Sequence, residues 1–299
     1  MKATKIPWEG LEKWWRWQKG QAHGTQHITV RFARTSIDSA FPFSSGRDIF
    51  ESMEQQGHPD DRQASVDALR QHLRAAKTLR RQAQAAESSA SQHRQLRTWQ
   101  AARLARTHAD LLRSQRFSEA ARFFLSDLYG PKDFSRRDDE VERILPLLIR
   151  MLPSSALYTV ALAVEVDALT ERLDAAMIRQ LVAEATIDRL DEAAYAAAYR
   201  AVGLQDERQR QIELIGQIGR FLERLARKPL LTQLLRLMRQ PAQAAGLGEL
   251  QEFLERGFVA FRHMGPAEEF LAAIDSRERR LMQRLFAGAA YPFDDQVAD

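Results

Sequence analysis

Two histidines four residues apart, His23 and His27, have the spacing by which a helix turns two imidazoles toward one metal ion. Their setting, Gly20-Gln21-Ala22-His23-Gly24-Thr25-Gln26-His27, carries two glycines and offers no third ligand. A protein metal site rarely forms on fewer than three, so a solvated loop is expected there. Asp138-Asp139-Glu140-Val141-Glu142 is the other candidate, because carboxylates at i and i+4 on a helix let magnesium bridge a diphosphate. These acids follow Arg136-Arg137 in the first turn of an expected helix, where the positive end of the helix dipole favours them without an ion. No second acidic cluster matches their spacing, so helix-end electrostatics is the expected role.

Other chemistries lack their residues. Di-metal sites in four-helix proteins need Glu-x-x-His pairs. Three positions before the seven histidines stand Gly20, Gly24, Gln55, Leu69, Ala90, Ala105 and Ala260, none of them acidic. The 299 residues contain no cysteine, which excludes a thiol nucleophile, a disulfide framework, a zinc ribbon and a cysteine-held cluster. There is no Gly-x-Ser-x-Gly elbow, no phosphate loop ending in Gly-Lys-Ser/Thr and no Gly-x-Gly-x-x-Gly after a strand. Gly216 and Gly219 fall inside a helical pattern and predict a close helix–helix approach. No catalytic residue, metal or cofactor is expected.

What remains is charge. The net charge of +4 divides into a basic first part and an acidic remainder: residues 1–130 carry 21 Lys+Arg against 13 Asp+Glu, a net of +8, and residues 131–299 carry 23 against 27, a net of −4. Arg70, Arg74, Lys77 and Arg81 are spaced 4, 3 and 4 apart, so at about 100° per residue they form a stripe about 60° wide. Leu69, Leu73, Ala76, Leu79 and Ala83 take the opposite side. Such a stripe suits an acidic protein or an anionic surface, and its plainest role is a solvated polar face. Nucleic acid ranks below these because no DNA- or RNA-reading motif accompanies the stripe. The first expectation is therefore a non-enzymatic interaction or scaffold module. An enzyme or small-ligand binder with a site inside the bundle is the alternative, with Tyr158, Glu165, Asp167 and Asp127 as its polar candidates.

The elements that must carry these residues are helical. From about residue 60, Ala, Leu, Gln, Arg and Glu dominate, all strong helix formers. The pattern predicts helices over 61–87, 92–128, about 135–152 with a kink or division at Pro146, 155–165, 167–184, 191–202, 206–227, 230–239, 247–264 and 267–287. Leu214, Ile215, Ile218, Leu222 and Leu225 make one buried stripe; Phe270, Leu271, Ile274, Leu281, Leu285 and Phe286 make another. Connections are short, and no repeat of fixed period is visible. The fold class is all-α, a multi-helix bundle of eight to ten mostly antiparallel helices.

Residues 1–59 read as an N-terminal extension of low order, 60–293 as the helical domain and 294–299 as a tail. The extension holds Trp8, Trp14, Trp15 and Trp17 among Lys5, Lys13, Arg16 and Lys19, a composition for a docking or disordered arm. Its alternating run Ile28-Thr29-Val30-Arg31-Phe32 has no clear strand partner. The richest apolar stretch, 144–166, is interrupted by Pro146, Arg150, Pro153 and Glu165 and falls short of the roughly 20 apolar residues that span a bilayer. With no legible export signal, the cytoplasm is expected.

The stretch Phe123-Phe124-Leu125-Ser126-Asp127-Leu128-Tyr129-Gly130-Pro131-Lys132-Asp133-Phe134, followed by Arg137-Asp138, resembles a family of uncharacterised helical proteins from proteobacteria. The closing pattern Arg284-Leu285-Phe286-Ala287-Gly288, with Pro292-Phe293 beyond, is similar to that family's. The resemblance covers about 60–293 and implies no known activity and no catalytic residue. Phe123, Phe124 and Leu128 are expected to anchor packing at a helix end rather than line a pocket.

Overall fold

The strong helix formers fold as their pattern requires. The computed structural model describes residues 59–128, 135–152 and 154–294, and no strand occurs among them. In chain order the helices are α1 (Pro59–Gln84), α2 (Glu87–Thr107), α3 (Ala109–Arg113), α4 (Ser118–Phe123), α5 (Ser135–Met151), α6 (Ser154–Ala183), α7 (Glu192–Val202), α8 (Gln205–Ala226), α9 (Pro229–Ala244), α10 (Gly248–Met264) and α11 (Glu268–Ala287). A π-helical turn, Phe124–Leu128, follows α4, and a 3-10 turn, Ile187–Arg189, precedes α7. Apart from the short α3 and α4, nine helices make an all-α bundle among the described residues. The extension with His23, His27, its four tryptophans and the run 28–32 lies outside the described residues, as do Tyr129-Gly130-Pro131 and 295–299 of the tail.

Among the differences from the expected boundaries, three have a local reason. The expected helix 92–128 is divided. Ser114 Oγ accepts from the N–H groups of both Arg116 and Phe117 at 3.2 Å, a side-chain turn that competes with the helical ladder. Pro146, expected to kink or divide α5, does not divide it and sits inside it on an exposed position, where water can take up the carbonyl its ring leaves unbonded. The segments 155–165 and 167–184 form one helix, α6, whose apolar residues occur all round; such a helix belongs in the interior. It is the bundle's central element, packed against α1, α2, α7 and α8.

Val66, Leu69, Leu73 and Leu145 bury against Leu157 and Ala161 of α6. Phe117, Phe123, Phe124, Phe261 and Phe270 form an aromatic cluster joining α4, α10 and α11. Phe123 is a packing anchor as expected: a Cβ added at Gly257 would stand 2.8 Å from its ring. Gly219 likewise lets α8 close directly onto Leu271, whereas Gly216 meets only the flexible end of Arg220. Glu140, 4% exposed, reaches across to α10 and accepts from the N–H of Leu250 at 2.8 Å, capping a helix start that has no side-chain cap of its own. No described helix is long and apolar enough to cross a membrane.

Candidate ligand-binding site

Arg70, Arg74 and Arg81 are exposed on α1. Lys77 is not available in the same way. Its Nζ is bound by Glu142 and, at 2.8 Å, by Asp139, both on α5, and its side chain keeps only 14% of its surface. Those hydrogen bonds raise the lysine's pKa and lower that of Asp139. Three of these acids thus have structural roles: Asp139 and Glu142 fasten α1 to α5, and Glu140 caps α10. No group of three His, Cys, Asp or Glu that could hold a metal occurs among the described residues.

The polar candidates of the alternative reading are scattered. Tyr158 is half exposed. Glu165 takes a two-pronged bond from Arg210 at 2.8 and 3.0 Å. Asp127's side chain falls outside the described residues. Only Asp167 belongs to an interior arrangement, and its partner is Arg80, a residue of the apolar side of α1.

Arg80 opens a chain of buried charges between α1, α2 and α6. Its Nε donates to Glu171 Oε1 at 2.9 Å, and Arg97 Nη2 donates to the same oxygen at 2.5 Å. Arg97 Nε goes on to Asp174 Oδ2 at 3.2 Å, and Gln100 closes the series on Asp174 Oδ1 at 3.1 Å. Burial pulls the pKa of Arg97 down, but the charges of Asp174 and Glu171 outweigh it and the net direction is up. A second buried set joins α2 to α11. Arg103 Nη1 donates to both oxygens of Glu278 at 2.7 Å, and His108 Nε2 lies 3.0 Å from Oε1. Burial would raise the Glu278 pKa, yet the Arg103 charge and the hydrogen bonds of His108 and Arg103 hold it at about 2.

These two sets flank a cavity of about 120 Å³ in the middle of the bundle. One part of its wall is apolar: Phe124, Leu173, Ile212, Ile215, Phe270, Ile274 and Leu281. The other part brings Gln100, Arg103, His108, Thr170, Asp174, Tyr195, Tyr199, Arg208, Gln211 and Glu278 together. Phe124, expected only to pack, does both. The π-turn that begins there sits on the wall, and such turns recur at functional sites.

Arg208 stands out on this wall. It is 7% exposed, its guanidinium carbon lies 3.6 Å from the centre of the Tyr199 ring, and no acid stands within 4 Å of it among the described residues. Its Nε and Nη2 are buried without a hydrogen-bond partner, as are Arg103 Nε and His108 Nδ1. Burial raises the pKa of Tyr199 and keeps its hydroxyl neutral beneath the cation. The backbone that delivers Arg208 is strained: Leu204, the residue before α8, has φ 58° directly after Gly203 at φ 67°. A bulky residue in that region costs about 1–2 kcal/mol.

Comparison with known proteins places the chain. Residues 79–292 match the family described as a domain of unknown function, DUF8198. The chain belongs to this family. No curated protein and no solved structure matches it. The DUF8198 region begins next to Arg80 and takes in every residue of the buried charge sets and of the cavity wall. Of the exposed stripe it includes Arg81 alone; Arg70, Arg74 and Lys77 precede it.

Sequence reasoning missed Arg80, Arg97, Arg103, His108, Arg208 and Glu278, but a signal was present for three of them. Glu278 fills the gap between Ile274 and Leu281 in the apolar stripe of α11. Arg80 fills the gap between Ala76 and Ala83, and Arg208 extends the α8 stripe four residues before Ile212. A charge that completes an apolar stripe is buried with it.

Proposed function

We propose that this protein binds a small polar molecule inside its helical bundle. The observation that carries the reading is the cavity of about 120 Å³ whose wall leaves three buried N–H donors, Arg103 Nε and Arg208 Nε and Nη2, without partners. Buried donors normally find a partner, and each one left alone costs about 1–3 kcal/mol. A ligand supplying acceptors would recover part of that. Convergent polar groups in an otherwise apolar, enclosed space are what small-molecule sites share. Native mass spectrometry of the purified chain tests it, with Ile215→Trp as the filled-cavity control. Wild type should carry an added small mass, or gain thermal stability with members of a panel of small polar compounds, and Ile215→Trp should do neither. If both proteins behave alike throughout, the reading falls.

A second reading keeps the interaction module, in the cytoplasm, with α1 meeting an acidic protein or anionic surface. It is supported by the exposure of Arg70, Arg74 and Arg81 along one face. Reversing these three to Glu, leaving Lys77 with its acids, should abolish retention on an acidic partner or anionic matrix while shifting the melting temperature little, since surface changes cost about 0.5 kcal/mol or less. Unaltered retention would remove this reading.

A further inference from the structure

We infer that the molecule this cavity takes is a short-chain monocarboxylate, held edge-on by the guanidinium of Arg208. The inference rests on the cavity being a ligand site and adds what that ligand must be. The two unpartnered nitrogens of Arg208 are Nε and Nη2. They lie on one edge of the guanidinium, their N–H bonds run parallel, and their spacing matches the two oxygens of a carboxylate. The flat face is already used, stacked at 3.6 Å on Tyr199, so the edge is the part left to a ligand.

Charge sets the valence. The two acids on the cavity wall are both committed, Glu278 to Arg103 and His108, and Asp174 to Arg97 and Gln100. Arg208 contributes one positive charge that no acid within 4 Å balances among the described residues. One charge calls for a monoanion, because a second negative charge among these buried groups would have nothing to compensate it. Volume and lining set the rest. About 120 Å³ is below the roughly 150 Å³ of an apolar cavity that takes benzene. The apolar side, Ile212, Ile215, Ile274 and Leu281, is suited to an alkyl tail of two or three carbons. Propionate and butyrate fit that description.

The test is calorimetric titration of the full chain with propionate, butyrate, propionamide and inorganic phosphate, backed by thermal shift. Propionate or butyrate should bind, and propionamide, which has the same shape without the charge, should bind at least about tenfold more weakly. Phosphate should not compete. Arg208→Lys keeps the charge but loses the fork and should weaken the acid at least about tenfold; Arg208→Gln should weaken it about 100-fold. The acid–amide comparison uses the unaltered protein, so it stands even where a variant folds poorly. Equal binding of acid and amide, or of phosphate in place of the acids, overturns the carboxylate and leaves the cavity reading intact. If none of the four probes binds and Ile215→Trp carries the same masses as wild type, the cavity holds water only, and both readings fall.

Discussion

Replacing Glu278 by Ala should destabilise the protein by about 3–5 kcal/mol, the cost of leaving a buried charge without its counter-ion. Arg103 would lose both of its bonds and His108 its Nε2 partner, and the other acid of the cavity wall, Asp174, is already held by Arg97 and Gln100. For a domain of this size that is a fall in melting temperature of roughly 6–20 °C. The same carboxylate governs acid sensitivity. Its pKa is about 2 in the fold against an ordinary 4.5, so its contribution, about 3 kcal/mol, is fully present above pH 4.5 and is lost as pH falls toward 2. Glu278→Gln should therefore flatten the acid limb of the stability profile between those values. A loss below about 1 kcal/mol for Glu278→Ala, or an unchanged acid limb for Glu278→Gln, would contradict the geometry.

The second large effect concerns Glu171, which is 2% exposed and receives Arg80 from α1 and Arg97 from α2 on a single oxygen. Glu171→Ala should cost about 3–5 kcal/mol, by the same argument applied to two cations. It should also act on α1 in particular, because α1 packs chiefly along α6 and Arg80 is its deepest polar tie there. Hydrogen exchange in α1 should accelerate more than in α10 or α11. A double-mutant cycle with Arg80→Ala should give a coupling of about 1–3 kcal/mol, as expected for residues of one network. Additivity within about 0.5 kcal/mol would mean that Glu171 and Arg80 do not act together.

Periodicity made the helices legible, since their stripes are long and their breaks are marked by Gly and Pro. It misjudged the places where one side chain overrides propensity. Ser114 ends α3 by bonding two N–H groups, and Pro146 is tolerated because its position faces water. Arg70, Arg74 and Arg81 are exposed on α1, but pairing across 62 and 65 residues ties up Lys77, and no local pattern announces such a pairing. The cavity was hidden for a related reason. Its wall draws on α2, α6, α7, α8 and α11, and a charge is read as solvated unless its place in an apolar stripe is noticed. Glu278 and Arg80 could have been found that way. The stacking of Arg208 on Tyr199 could not, since it depends on the turn at Gly203 and Leu204.

The lock between Arg103 and Glu278 spans 175 residues. At about 5–20 residues per second, a ribosome takes roughly 9–35 s to travel from one to the other. Throughout that interval Glu278, the acid that closes on Arg103 and His108 in the finished fold, has yet to be made. The interior can seal only when α11 arrives. The last helix is thus a clock for the whole domain, and a chain stalled before it would leave Arg103 without the counter-ion that the finished protein gives it.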